Sequence, residues 1–389
     1  MSNPRESAFL GALVADAASV GLHWIYDFDH LNGLVAAGGA EFRTPKKADY
    51  DGVFGFFAHG AKVSGDQSHY GEALLIAAES MADGGEPNVR TFQNKFRDHF
   101  GAGGPFVGYI DHPTRETLQN LAKAEKDSAE SAIAAAGSLK PEIARVVIQK
   151  VTPYTRYLTG EALVGPVTRA IQVTYSEPDV LAVALKVAEA MDRSKPDASG
   201  AVDEQAPAAA SLAALALRPN GASAERRDVV RRTVRVTNNS ETAVGFALFV
   251  FDFLVELQGG ASAEAAFASA CARSTDAGVV AAVTRGWEHS LEPLKETSSE
   301  LGRTCYLKET VPLALCVFRR TTSFRDAINV NIRAGGDSCG RALMLGSWAG
   351  ALYGLGGEKG VPAAWLLRLR AGARIAAALE GATPAPTQQ

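Results

Sequence analysis

Alanine-rich segments with apolar residues three and four apart recur along the whole chain, and alternating strand patterns are hard to find. That pattern predicts an all-α protein. Helices are expected at 7–20, 69–82, 88–100, 114–136, 179–191, 207–216, 241–257, 263–272, 311–317 and 338–353, with a last one over 362–379. Pro207 and Pro362 suit a first helical position, where the missing N–H costs nothing. Ser176-Glu177-Pro178-Asp179 supplies an N-cap signal. At 389 residues, with 47% hydrophobic and 21% charged, the chain can bury a large core as one domain or two. The polar stretch 193–200 is the best candidate loop, but apolar helices of one style flank it on both sides. A single many-helix domain over residues 1–380 with a central cleft is therefore expected, followed by a disordered tail at 381–389.

Bulk properties exclude several classes of function. A net charge of −4 offers no broad basic field, so nucleic acid is not an expected partner. The apolar run 244–257 is interrupted by Asp252 and too short to span a bilayer. Residues 1–7 carry no signal-peptide core. Cys271, Cys305, Cys316 and Cys339 show no CxxC spacing, which suits a reducing cytoplasm and argues against a structural zinc site.

Four segments carry chemistry. In Gly11-Ala-Leu-Val-Ala-Asp16-Ala17, Asp16 lies on an apolar helix and needs a buried partner, while His23, Trp24, Tyr26 and Asp27 crowd that helix's exit. Ser64-Gly65-Asp66-Gln67-Ser68-His69-Tyr70-Gly71-Glu72 opens a helix. Ser64, Asp66 and Ser68 are either hard oxygen ligands or ordinary N-terminal caps. Residues 100–114 hold Gly101, Gly103, Gly104, Gly108 and Tyr109, a loop whose N–H groups could face phosphate, although no Walker or Rossmann pattern is present. Gly335-Gly336-Asp337-Ser338-Cys339-Gly340 makes a tight turn into an apolar helix, a natural anion or metal site. Cys339 is there either a small buried hydrophobe or a thiolate stabilised by the helix dipole.

In this order the segments resemble the ADP-ribosylglycohydrolase family. Gly11–Ala17 matches its opening helix. Ser64–Gln67, followed by Ala77-Ala78-Glu79-Ser80, matches its Thr-Asp-Asp-Thr-type segment. Val330-Asn331 and Gly335-Gly336-Asp337-Ser338-Cys339-Gly340 match its C-terminal Asp-x-Asp-Thr segment. The departures, His23-Trp24-Ile25-Tyr26-Asp27 and Cys339, are similar to the J-type crystallin and selenoprotein J subgroup.

The resemblance implies an all-helical cleft in which Mg²⁺ or Mn²⁺ positions ADP-ribose and a hydrolytic water. Carried over, Ser64, Asp66 and Asp337 are the metal ligands, and Asp66, Asp337, Cys339 and His23 the catalytic candidates. Gly101, Gly103, Gly104, Gly108, Tyr109, Gly335 and Gly336 would bind the ADP-ribosyl group, small or protein-attached. Gly65, Cys339 and Gly340 stand where the family has Asp, Asp and Thr, so one ion or none is expected. The implied activity is hydrolysis of an ADP-ribosyl bond. The alternatives are a non-catalytic nucleotide-binding or structural relative, and a thiol enzyme using Cys339 with His23 or His69 as base.

Overall fold

The computed structural model describes residues 3–81, 88–195, 197–218 and 222–382. Among them the only sheet-like pairings are isolated bridges such as Ile25 to Gly55, and the rest of the regular structure is helical. At the centre, two long helices lie against each other: Pro4–Ser19, capped by Asn3 with Pro4 in its first turn, and Ser338–Tyr353, capped by Asp337. Both are too apolar for a surface position, and the second is buried from Ser338 through Ala351. Glycines set their separation. A Cβ on Gly11 would sit 2.3 Å from the Gly346 carbonyl oxygen, and one on Gly350 would sit 2.2 Å from that of Ser7. Helices Glu241–Gln258, Leu307–Arg320 and Phe324–Ala334 complete the shell around this pair.

Several expected helices appear with small boundary shifts, for example His69–Glu79, Val89–Phe100 and Pro178–Arg193. Two do not hold as drawn. The stretch 207–216 divides at Ser211 into Pro207–Ala210 and Leu212–Leu215, and 362–379 divides into Ala363–Leu366 and Gly372–Ala382. Pro141–Thr155 and Val164–Gln172 were not expected as helices. Their β-branched residues read against helix formation, but burying Val147, Val151, Val167 and Ile171 overrides that weak preference.

Those two helices, with Pro178–Arg193 and the far end of His112–Ala135, enclose a second, smaller apolar core. Helix His112–Ala135 threads both cores, with Leu121 in the large one and Ala132 in the small one. Arg193 closes helix Pro178–Arg193, and the described residues after it, 194–195 and 197–200, form a loop, as expected. Gln93 Nε2 donates to the Asp197 carbonyl at 3.0 Å, and Ser199 Oγ donates to that of Val236 at 3.0 Å. No described helix is long and apolar enough to cross a membrane. Of the expected tail, residues 381 and 382 close the last helix, and 383–389 lie outside the described residues.

Candidate active site

Asp16 is buried in the last turns of the first helix, where Ser68 meets it twice. The Ser68 N–H donates to Oδ2 at 2.8 Å and its hydroxyl to Oδ1 at 2.5 Å, while the same hydroxyl caps the next helix at Tyr70 N–H. Burial outweighs these bonds and raises the Asp16 carboxyl to about 6. A raised acid binds its proton more tightly when folded, so its contribution to stability is lost as pH rises from about 4 to about 6. Asp16→Asn is expected to flatten that part of the stability–pH curve, measured by urea unfolding at pH 4, 5, 6 and 7. A variant curve as steep as the wild type's would show that other groups set the slope.

Beyond the first helix the chain turns through Val20–Leu22 and enters an extended run in which Trp24 takes φ +64°. This run is held from both sides. Trp24 N–H donates to the Gly336 carbonyl at 2.8 Å, and Gly336 N–H returns a bond to the Ile25 carbonyl at 2.9 Å. On the other side Tyr26 N–H donates to Phe54 and Phe56 N–H to Trp24. Gly336 sits at φ +65°, and a Cβ there would strike the Arg303 carbonyl oxygen at 2.2 Å. Buried Arg341 locks the turn from inside: its Nε donates to Asn331 Oδ1 at 2.8 Å and its guanidinium reaches the Gly335 carbonyl.

The structure brings together Asp337, Cys339 and His23. Tyr70 Oη donates to Asp337 Oδ2 at 3.1 Å, and Gly340 N–H donates to Oδ1 at 2.8 Å. Cys339 N–H donates to His23 Nδ1 at 3.2 Å, a ring whose Nδ1 also lies 3.7 Å from Asp337 Oδ1. Burial holds His23 well below the usual imidazole range, so this pair is not an ion pair. Burial also raises the Asp337 carboxyl. For Cys339 the helix dipole does not prevail. Burial, then the carboxyls of Asp16 and Asp337, push its thiol well above the ordinary range.

His69, on the first turn of the helix after Ser68, points the other way. Its Nε2 lies 3.1 Å from Asp111 Oδ2, while Asp111 Oδ1 accepts the Thr114 N–H at 2.9 Å and caps helix His112–Ala135. Burial alone would raise Asp111, but His69 and the Thr114 bonds outweigh it and hold the carboxyl low. His69 Nδ1 has no hydrogen-bond partner. Asp111 and His59 were not singled out from the sequence. One looks like an ordinary cap and the other sits in an aromatic loop with no motif around it.

Ser64 and Asp66 are not joined to this group by any hydrogen bond or ion pair. Ser64 Oγ donates to the Phe42 carbonyl and accepts from Arg368, while Asp66 accepts from Val63 N–H and pairs with Arg370. The chain kinks at Gly65, φ +93°, against the Arg368 carbonyl, so Ser68, His69 and Tyr70 reach the centre four residues further on. The residues present do not form an oxygen cage for Mg²⁺ or Mn²⁺. Both oxygens of Asp16 and both of Asp337 already accept protein hydrogen bonds, and the unpartnered groups around them are mixed: imidazole nitrogens, the Cys339 sulfur, Gln67 Oε1 and Ser338 Oγ.

The glycines serve backbone geometry. Gly101 N–H closes the preceding helix onto Arg97, Gly104 N–H bonds to Gly101, and Gly335 and Gly336 N–H bond to Ile332 and Ile25. None of these four offers an N–H to a ligand. A Cβ on Gly108 would come 3.0 Å from Lys62, and Gly103 is open. Tyr109 does reach a ligand-sized space. With Trp24, Tyr26, Phe56, Phe57 and Cys305 it lines an open cleft of about 510 Å³. Trp24 stacks 4.5 Å from His23, and Tyr109 stands 5.8 Å from His69, so the cleft's walls are the front of the buried cluster.

The ADP-ribosylglycohydrolase family model matches residues 6–388. A solved structure described as an ADP-ribosylglycohydrolase-related protein complex superposes with a TM-score of 0.55 at 16% identity, covering 98% of this chain and 97% of its own, which speaks for the fold. Among curated proteins none matches. With the family model spanning nearly its whole length, the chain belongs to the ADP-ribosylglycohydrolase family.

Proposed function

We propose that this chain hydrolyses the glycosidic bond of an ADP-ribosyl group, free or attached to protein. The observation that carries this reading is the aromatic cleft set directly before the His69–Asp111 pair. Its size suits a nucleotide. Trp24, Phe56 and Tyr109 offer faces for a planar base, and Lys62 and Arg115 lie over the rings of Phe106 and Tyr109, bringing positive charge toward a diphosphate.

In the reaction, His69 Nδ1 takes a proton from water as the water oxygen bonds to the anomeric carbon. The bond to the leaving nitrogen or oxygen breaks with its electron pair, that atom takes a proton from solvent, and the His69 imidazolium returns its own proton to solvent, so the protons balance. Asp111 at Nε2 orients the ring and stabilises the imidazolium that forms. His69 is only 2% exposed, so substrate entry requires Tyr109 and the loop around Phe56 to move aside.

A second reading, an ADP-ribose binder without turnover, is favoured by one fact: the Asp16 and Asp337 oxygens are all engaged within the protein. Calorimetry with ADP-ribose, and release of ADP-ribose from modified arginine, modified serine or a nitrophenyl surrogate, separate the two. Turnover supports the hydrolase, binding alone the second reading, and neither would overturn both. Trp24→Ala and Tyr109→Ala are each expected to weaken ADP-ribose binding by about 1–3 kcal/mol, the usual contribution of an aromatic platform under a base. Unchanged affinity in both would move the base out of this cleft.

A further inference from the structure

Behind Trp24, three side chains from distant parts of the sequence converge. They are His23 after the first helix, His59 in the loop below Phe57, and Cys339 in the first turn of the central helix. One ring nitrogen of each histidine and Cys339 Sγ lie within 4.8 Å of one another, and all three residues are buried. His23 Nε2 and both nitrogens of His59 have no hydrogen-bond partner in the protein. Leaving a buried polar nitrogen unpaired costs about 1–3 kcal/mol each, so two such rings meeting beside a thiol call for something that satisfies them.

The donor set says what that is. The nearby carboxylates of Asp16 and Asp337 are occupied by hydrogen bonds, and the groups that converge within 4.8 Å are two imidazoles and a thiol. Imidazole with sulfur is a borderline-to-soft combination that selects against Mg²⁺. We propose that His23, His59 and Cys339 bind one borderline divalent cation of the first transition row, with Zn²⁺ the best fit. The absence of CxxC spacing does not weigh against it, because the ligands are gathered by the fold and not by a local motif.

Tetrahedral zinc holds such donors about 3.3–3.6 Å apart. Closing from within 4.8 Å is a small adjustment, and His59, on a loop, has fewer backbone bonds to resist it than Cys339 on the central helix. With Nε2 of His23 on the ion, its ring proton moves to Nδ1; the bond that Nδ1 accepted from Cys339 N–H is given up, and Asp337 Oδ1, 3.7 Å away, becomes the acceptor behind the imidazole. Cys339 binds as thiolate: its S–H bond breaks, the S–metal bond forms and the proton leaves to solvent. Three protein donors leave a fourth position for water or a substrate oxygen. The ion also pins the loop that presents Phe54, Phe56 and Phe57, all exposed.

The cluster exists whether or not the cleft hydrolyses ADP-ribosyl bonds, so its test does not use activity. The full chain, stripped with a chelator, is titrated with Co²⁺. The expected result is a near-ultraviolet thiolate-to-cobalt band that saturates at one equivalent, is displaced by Zn²⁺ and is unaffected by excess Mg²⁺. Cys339→Ser is expected to abolish the band. His59→Ala, a loop change that should leave the helical circular dichroism intact, is expected to weaken zinc by about 100-fold or more, beyond the loss of an outer-sphere partner. No thiolate band in the wild type would overturn the assignment, as would one-equivalent zinc binding unchanged in His59→Ala. Zinc binding without ADP-ribose turnover would leave it standing and count only against the hydrolase.

Discussion

Replacing His69 by alanine is expected to lower ADP-ribosyl bond hydrolysis by about 10²–10⁴-fold, the range for losing a positioned acid–base group. The expectation rests on the arrangement of its two nitrogens. Nε2 is held by a buried carboxylate that also caps a helix, while Nδ1 is left without a partner behind Tyr109. ADP-ribose affinity should stay close to wild type, since the base and diphosphate rest on Trp24, Tyr109 and the flanking cations. Asp111→Asn should lose most of the same rate and also loosen the start of helix His112–Ala135, so its thermal unfolding should be followed in parallel. A His69→Ala variant with wild-type kcat would remove His69 from the chemistry altogether.

The second large effect lies where no ligand reaches. Gly346→Leu is expected to destabilise the fold by about 3 kcal/mol or more, at or above the upper end of core overpacking. A Cβ there meets the Gly11 carbonyl oxygen at 2.4 Å and Ala15 Cβ at 2.6 Å, and neither backbone can retreat without parting the two central helices. Asp16 and Asp337 stand on opposite members of that pair, so the candidate site would be lost with the packing. Gly33→Ala is the control. It lies in helix Phe28–Gly38 with open space around its Cβ position, and should stabilise by about 0.5–1 kcal/mol through helix propensity alone. Denaturant midpoints at constant m-value would read both, and a Gly346→Leu midpoint near wild type would refute the close-approach argument.

The helical class was legible because alanine-rich, amphipathic segments admit little else, and the central Ser338–Tyr353 helix lies where its cap and apolar run place it. Helices such as Pro141–Thr155 were not, because their β-branched residues show helix only when packed against a second core. In the candidate site, Asp337, Cys339 and His23 were legible because glycine turns and abrupt helix ends mark where polar groups collect. On the approach to the third helix the sequence offered Ser64, Asp66 and Ser68 as oxygen donors and His69 as a base, without saying which of them lie together. Ser64 and Asp66 look like ligands, but the kink at Gly65 turns them to the surface arginines and delivers Ser68, His69 and Tyr70 instead. Spacing along a sequence does not say which turn of a chain faces inward. His59 was illegible for a related reason, since a histidine in an aromatic loop acquires meaning only from what lies beneath it.

Helix His112–Ala135 has 24 residues, roughly 36 Å at 1.5 Å per residue. Its first residue adjoins Asp111 and its last turns are rooted in the smaller core. Leu121, set in the larger core between those ends, is where the helix is held. The two cores are thus tied by one rigid rod, and the hydrogen bond between His69 and Asp111 is anchored by both of them.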